Sequence, residues 1–169
     1  MITKNEKGEY ALYDQGNLAG FAAVKYIGGV RVIESMYDKI RDLQSAALQA
    51  NVILTLAAGL RSWDEQIHLR MNHVIDKSKV NDLDYLTTAD PGKFNPRTGK
   101  PGWSNHQDGK AYDFNVTGLP KVYAWLVGNA HAFEFVRTVL SERWHWEYLP
   151  GAKQFDYVPK TDATWDGLV

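Results

Sequence analysis

The stretch that decides the fold is SNHQDGKAYD, residues 104–113, taken together with the segment ERWH at residues 142–145. These segments supply His106, Asp113 and His145, and Glu142 stands three positions before the second histidine. Two histidines and one carboxylate form the ligand set of a catalytic zinc site, in which the fourth coordination position stays open to water. A further carboxylate beside such a site is placed to move a proton. The sequence therefore predicts a zinc centre, with the rest of the chain as scaffold and cleft.

Each of these residues taken alone has a simpler explanation. A single loop histidine such as His106 is more often a structural residue than a ligand. The alternation of residues 110–116, however, places Asp113 on one face of a strand, and a buried carboxylate is rare unless it is paired or metal-bound. Gly109 and Ala111 remove side-chain bulk between the two ligands, so the loop can fold back on itself. Together, these residues indicate a metal site more specifically than any one of them does alone.

Composition sets limits on the class of protein. The chain has 169 residues, 44% hydrophobic and 23% charged, which fits one soluble globular domain with a core of its own. The formal net charge of −1 gives no reason to expect binding of nucleic acid, which depends on a basic face, and no apolar run is long enough to cross a bilayer. The chain has no cysteine, so the protein ligands of any metal must be histidine and carboxylate. Its six tryptophans predict aromatic core packing or an aromatic cleft.

The apolar pattern predicts an α+β fold, in which helices flank a small, mainly antiparallel sheet. Helices are expected at residues 33–50 and 119–131, with another that begins at a capping box of Ser62 and Glu65. The buried stripe expected for that helix is Trp63, Ile67, Met71 and Val74. The expected strands are residues 51–56, 110–116, 133–140 and 144–149. Residues 1–30 are expected to form loops and one short strand. Residues 76–103 are expected to form a long loop that is a rim or lid of the site or is mobile. The tail from Pro150 is expected on the surface.

The site residues, taken in order, resemble the signature of a known family. The segments Ser104-Asn105-His106, with Gly109, Ala111 and Asp113, and Glu142-x-Trp144-His145-x-Glu147 are similar to those of the VanY-type D-alanyl-D-alanine carboxypeptidases. This family belongs to the LAS superfamily of zinc peptidases. Gly59-Leu60-Arg61-Ser62 with Gln66 resembles a further element of it, in which tyrosine usually stands in place of Leu60. The resemblance is strongest over residues 50–150 and implies a single zinc peptidase domain over residues 1–169, with an LAS or hedgehog-like fold.

The resemblance also implies a role for each matched residue. The implied ligands of one Zn²⁺ ion are His106, Asp113 and His145. Glu142 would act as the catalytic base, and Arg61 would stabilise charge developing on the carbonyl oxygen. Ser104 and Gln66 would bind the substrate, although Ser104 could equally cap a turn. Glu147 would fix a ligand histidine by hydrogen bonding or would be an exposed strand carboxylate. The remaining residues are assigned to the core (Trp144, Trp146) or to the surface and packing (His68, His73, His131).

The function implied by the resemblance is a zinc-dependent D,D-carboxypeptidase that removes terminal D-alanine from peptidoglycan stem peptides. An L-alanyl-D-glutamate endopeptidase of endolysin type, an inactive zinc-binding cell-wall module and a structural domain without metal remain alternatives. Manganese or cobalt would suit the same ligands. The partner would be a stem peptide or muropeptide, with no nucleic acid and with the chain acting as a monomer. The resemblance implies extracytoplasmic action at the bacterial cell wall. Residues 1–7 lack the apolar segment of a signal peptide, so the export route is left open.

Overall fold

The computed structural model describes residues 1–151, which form an α+β arrangement. The strands are β1 (Tyr10–Asp14), β2 (Asn17–Ala22), β3 (Val24–Ile27), β4 (Val30–Ile33), β5 (Leu56–Ala58), β6 (Ala111–Phe114), β7 (Phe135–Val136) and β8 (His145–Tyr148). The α-helices are α1 (Glu34–Gln49), α2 (Trp63–His73), α3 (Leu83–Thr88) and α4 (Pro120–Asn129). Short 3-10 turns lie at Lys77–Lys79, Pro91–Lys93 and Ala130–Phe133. Within residues 1–151, no helix is long and apolar enough to cross a membrane. The tail expected on the surface lies outside the described residues from position 152 onward.

The central sheet has the strand order β5–β6–β8–β7, and each neighbouring pair is antiparallel. The β6–β8 register places Asp113 opposite His145 and Tyr112 opposite Trp146. Tyr112 and Trp146 are fully buried in the main core. Because side chains alternate along a strand, Asp113, His145 and Glu147 share the other face. The small antiparallel sheet predicted from the sequence is therefore confirmed, and its register gathers the polar residues on one side.

The main core lies between this sheet and helices α1 and α4. The buried residues of α1 are Met36, Ile40, Leu43 and Ala47. Their spacing of three and four follows the helical period, which turns one apolar stripe towards the sheet. Burial of a side chain such as Leu43 stabilises the fold by roughly 1.5–3 kcal/mol. This packing covers the apolar side of the sheet, opposite the polar face that carries the candidate site residues.

Helix α2 begins at the predicted capping box. Ser62 Oγ accepts a hydrogen bond from Glu65 N, and the Glu65 carboxylate accepts one from Ser62 N. The buried face differs from the predicted stripe, because Gln66 and Arg70 are buried whereas Ile67 is only half-buried. The loop before β6 covers this face, and its carbonyl oxygens accept hydrogen bonds from the Gln66 and Arg70 side chains. Polar residues thus occupy buried positions because the loop supplies their partners.

The segment before α1 forms two β-hairpins where the sequence predicted loops and one short strand. Strands β1 and β2 turn at Gln15 and Gly16, and strands β3 and β4 turn at Gly28 and Gly29, all with positive φ. A two-residue turn with positive φ at both positions matches the right-handed twist of a hairpin.

The first hairpin also contacts the loop that leads into β6. Tyr13 N donates to Gln107 O at 2.9 Å, and Gly16 N donates to Gly102 O at 2.9 Å. The Tyr13 ring lies 4.8 Å from the Trp63 ring, centroid to centroid. The N-terminal segment therefore supports the loop on which His106 stands.

Other segments also differ from expectation. The predicted strand at residues 51–56 is wrong over most of its length, because the ladder begins at Leu56, opposite Phe114, and Ile53 is 74% exposed. The predicted strand at 133–140 is reduced to β7. Residues 76–103 contain α3 and two 3-10 turns. Leu86 and Phe94 from this segment form a small core with Val74, the residue that follows α2.

Candidate metal centre

Three predicted ligands from separate parts of the chain converge beside β6 and β8. Asp113 Oδ1 lies 3.1 Å from His145 Nδ1 and 3.3 Å from His106 Nε2. One ligand atom from each residue can be chosen so that all lie within 4.8 Å of one another. Both imidazoles are buried and the carboxylate is half-buried. Two imidazoles around one carboxylate are a donor set that suits zinc.

A backbone carbonyl orients the imidazole of His106. His106 Nδ1 lies 2.9 Å from Gly59 O, which can only accept, so Nδ1 carries the proton. The lone pair of Nε2 is then left on the side of Asp113, as a metal ligand requires. A Cβ added to Gly59 would lie 2.3 Å from Arg31 O of β4. Gly59 therefore lets the chain pass close to β4 while its carbonyl faces His106.

The loop between the first two ligands is held by close backbone contacts. Gly109 has a φ of +80°, and a Cβ there would lie 2.8 Å from a methyl carbon of Ile33. This geometry agrees with the prediction that Gly109 lets the loop fold back. Arg61 N donates to His106 O at 2.9 Å, which ties the start of α2 to the same loop.

The imidazole of His145 lies between two carboxylates. Its Nδ1 faces Asp113, while its Nε2 lies 2.9 Å from Glu147 Oε1. Glu147 also accepts hydrogen bonds from Asn105 Nδ2 at 2.7 Å and Thr138 Oγ1 at 2.5 Å, and it is buried. The alternative of an exposed strand carboxylate is therefore wrong. Because Glu147 engages Nε2, the nitrogen that faces the candidate metal is Nδ1.

The charges of the site follow from these contacts. Burial favours protonation of Asp113, but the two adjacent imidazoles outweigh burial and hold the pKa of Asp113 well below its usual range. Burial acts to lower the pKa of His145, but the contacts with Asp113 and Glu147 outweigh it and raise the pKa to about 9. Burial lowers the pKa of His106. At neutral pH the metal-free site therefore holds one anionic carboxylate, one neutral imidazole and one imidazolium.

Glu142 lies at the edge of this cluster. Its Oε2 is 3.9 Å from His145 Nδ1, and its side chain is 34% exposed towards the cleft. Burial raises the pKa of Glu142. A carboxylate with a raised pKa can take up a proton as a base and return it as an acid.

Arg61 reaches the cleft from the start of α2. An Arg61 guanidinium N–H donates to Gln66 Oε1 at 2.8 Å, and Gln66 Nε2 donates to Gly99 O at 2.8 Å. Burial lowers the pKa of Arg61, against the opposing charges of Asp113 and Glu142. An arginine keeps its charge under such conditions. Gln66, only 1% exposed, thus orients Arg61, and its predicted contact with substrate stays a prediction.

A cleft of about 240 Å³ opens from the candidate ligands. Ser104 lines it, and its Oγ also accepts a hydrogen bond from His106 N at 3.4 Å, so it caps the turn as well as facing the cleft. The assignment of Trp146 to the core is confirmed. That of Trp144 is wrong, because Trp144 precedes β8, lines the cleft and is 40% exposed.

Sequence reasoning missed several groups around the site. His73 lines the cleft, and Asn105 and Thr138 hold Glu147. Only Asn105 carried a signal, since it stands beside His106 in the motif. The hydrogen-bond partner of His73, Thr98, lies 25 positions away in the sequence.

Comparison with known proteins relates these features to a family. A family model described as VanY, D-alanyl-D-alanine carboxypeptidase, matches residues 30–151. A D-alanyl-D-alanine carboxypeptidase of Enterococcus faecalis is 27% identical over an alignment of 135 residues, and the match covers 72% of this chain and 49% of that protein. The chain thus spans about half the length of this curated relative.

Solved structures share the fold. VanYB in complex with D-alanine-D-alanine has a TM-score of 0.62 at 22% identity, covering 87% of this chain and 84% of that one. The vancomycin-resistance D,D-pentapeptidase VanY from a VanB-type resistance cassette, in complex with Zn(II), has a TM-score of 0.58 at 24% identity, covering 87% and 86%. The match over residues 30–151 includes every candidate ligand and most of the chain, and the chain therefore belongs to the VanY family of D-alanyl-D-alanine carboxypeptidases.

Proposed function

We propose that this chain is a zinc-dependent D,D-carboxypeptidase that removes the terminal D-alanine from peptidoglycan stem peptides. The observation that carries the proposal is the convergence of His106, Asp113 and His145, with Glu142 beside His145 Nδ1 on the cleft side. Family membership supports the same reaction class.

The residues present fit a zinc ion. The three candidate ligands include no thiolate, which suits a catalytic rather than a structural zinc. Hydrogen bonds to Gly59 O and to Glu147 present His106 Nε2 and His145 Nδ1 towards Asp113. When bound, zinc supplies Lewis-acid chemistry, which polarises a carbonyl and lowers the pKa of water.

The side chains of the protein supply the remaining steps. Glu142 takes a proton from the attacking water and gives a proton to the leaving amine, and its raised pKa suits both tasks. Arg61 offsets the negative charge that develops on the carbonyl oxygen. Loss of one group of this kind typically costs roughly 100–1000-fold in kcat.

The proposed place of action is the bacterial cell wall, where stem peptides are found. We further propose that the chain acts as a monomer, because all candidate ligands and Glu142 belong to one chain.

The test is a digest of defined muropeptides with wild-type protein and with Glu142→Ala, followed by mass spectrometry. Wild type should remove a single terminal alanine, and a chelator should abolish this activity until zinc is restored. Glu142→Ala should bind zinc as wild type does and yield no product. Release of the whole stem would instead indicate an endopeptidase, and zinc binding without any product would indicate an inactive module. Full activity of Glu142→Ala would overturn the mechanism.

A further inference from the structure

One part of the cleft, here called the α2 arm, is lined by a face of α2. Gln66, Leu69 and His73 line it, at helical positions i, i+3 and i+7. At 1.5 Å per residue, the seven steps from Gln66 to His73 span roughly 10 Å. An extended peptide rises about 3.3 Å per residue, so this arm of the cleft has the length of about three residues. It is too long for a single leaving D-alanine and fits the peptide on the N-terminal side of the reacting bond.

The imidazole of His73 stands at the far end of this arm in a defined orientation. His73 Nδ1 lies 2.8 Å from Thr98 Oγ1, and that hydroxyl donates its own proton to Pro96 O at 2.9 Å. The hydroxyl must therefore accept from His73, so Nδ1 carries the ring proton. Among the described residues, Thr98 is the hydrogen-bond partner of the His73 ring and it engages Nδ1, so Nε2 is left for a ligand in the cleft that the half-buried ring lines.

The surroundings keep this ring neutral. Burial lowers the pKa of His73, and the positive charges of Arg61 and Lys77 lower it further. A neutral ring protonated at Nδ1 presents a lone pair at Nε2. That lone pair repels a carboxylate, and the nearby positive charge disfavours an ammonium group. The ligand chemistry that remains is a neutral hydrogen-bond donor, and the neutral donor that a peptide backbone offers is its amide N–H.

We propose that His73 is a specificity residue, whose Nε2 accepts a hydrogen bond from a substrate amide N–H about three residues N-terminal to the reacting bond. This inference rests on the proposed function and names the part of the substrate that the α2 arm recognises. It predicts that a longer peptide is cleaved more efficiently than a short one because of His73. A single hydrogen bond of this kind corresponds to roughly 3–10-fold in kcat/KM.

The test compares an N-acetylated D-alanyl-D-alanine dipeptide with a pentapeptide that ends in the same two residues. His73→Ala should lower kcat/KM for the pentapeptide by roughly 3–10-fold and leave the dipeptide unchanged. His68→Ala is the matched control, because His68 lies on the same helix but is exposed. It should behave as wild type with both peptides. Equal losses for the two peptides in His73→Ala, or no loss for either, would overturn the inference.

Conservative variants separate recognition from folding. His73→Gln keeps an acceptor near the position of Nε2 and should retain most of the pentapeptide preference. Thr98→Val removes the hydroxyl that orients the ring and should share the selective loss, whereas Thr98→Ser should not. A loss of preference in His73→Gln as large as in His73→Ala would count against the hydrogen bond.

A binding measurement distinguishes failure of this inference from failure of the proposed function. If zinc-loaded wild type cleaves neither peptide, the proposed function is wrong. Calorimetry of pentapeptide binding to the same zinc-loaded protein then still tests the subsite. The pentapeptide should bind His73→Ala several-fold more weakly than His68→Ala, and equal affinities would refute the subsite.

Discussion

Asp113 and His145 face each other across the antiparallel strands β6 and β8, and Asp113 Oδ1 lies 3.1 Å from His145 Nδ1. Directly opposed positions on neighbouring strands bring Cβ atoms to about 4.5–5.5 Å. Two of the three candidate ligands are therefore positioned by strand register. Only His106 depends on a loop.

Replacement of Asp113 by Asn keeps the size of the side chain and removes its charge. We expect zinc affinity to fall at least about 10-fold, because a carboxylate is exchanged for a neutral amide. Metal analysis after dialysis measures the retained zinc. Asp108→Asn is a matched control from the same loop, since Asp108 pairs with Lys110 instead of an imidazole. Full zinc content and full turnover in Asp113→Asn would contradict the ligand assignment.

Replacement of Glu147 by Gln should weaken zinc binding or activity by roughly 10–100-fold. Glu147 accepts the His145 Nε2 contact, and an amide in its place holds the ring less firmly. Competition with a chromogenic chelator measures the affinity. Glu134→Gln is the control, because it makes the same change at a carboxylate that accepts hydrogen bonds from Tyr148 and Gly151 instead of from a candidate ligand. If both variants bind zinc as wild type does, Glu147 has no part in the site.

The metal-free protein should lose stability as the pH rises. Despite its burial, His145 has a pKa raised from 6.5 to about 9 by Asp113 and Glu147. The folded state therefore binds this proton more tightly than the unfolded state. The resulting stabilisation is complete below pH 6.5 and is lost as the pH rises through about 9. Urea unfolding at several pH values measures it, and His145→Gln should remove this part of the slope.

Zinc binding should follow the opposite trend. A ligand imidazole must lose the proton that occupies His145 Nδ1 in the metal-free site, so binding releases a proton. Apparent zinc affinity should rise with pH up to about 9. Calorimetry at neutral pH in buffers of different ionisation enthalpy counts the protons released. Binding without proton release would show that His145 is already neutral.

Arg61→Gln should lower kcat by roughly 100–1000-fold while zinc content stays that of wild type. The guanidinium lies in the cleft, held by Gln66, and is not among the candidate ligands. Steady-state kinetics with parallel metal analysis test this. An effect confined to KM would assign Arg61 to substrate binding alone.

Gly16→Ala should weaken zinc binding through the N-terminal hairpin. Gly16 has a φ of +80°, and a Cβ there would lie 2.9 Å from Trp103 Nε1, close to the loop that bears His106. Gly8→Ala is the matched control, because Gly8 has a φ of +79° and nothing within 4 Å of an added Cβ. Both variants should lose stability through backbone strain. Only Gly16→Ala should bind zinc more weakly, and equal affinities would refute this support role.

The sequence predicted the candidate ligands because the signal was local. Asp113 and His145 each interrupt an aromatic strand with a polar residue, and alternation places each of them on the side of its own strand opposite its aromatic neighbours. The capping box of Ser62 and Glu65 was equally local, and the structure contains it. These features depend on neighbours a few positions away.

The remaining features depend on distant contacts. The start of β5 is set by Phe114 of β6, which no pattern within residues 51–56 reveals. The position of His73 in the cleft depends on Thr98. The β3–β4 hairpin is different, since Gly28-Gly29 between two alternating runs is a recognisable turn signal that sequence reasoning passed over.

Gly59 illustrates how a residue without a side chain can be as constrained as a ligand. Any substitution would drive a carbon atom into the main chain of β4 at Arg31, and relief of that clash would swing the Gly59 carbonyl away from His106. In a saturation mutagenesis screen scored for activity, position 59 should therefore tolerate as few replacements as the positions of the three candidate ligands. Its intolerance would arise from the orientation of an imidazole ring, and not from any demand of the turn in which it lies.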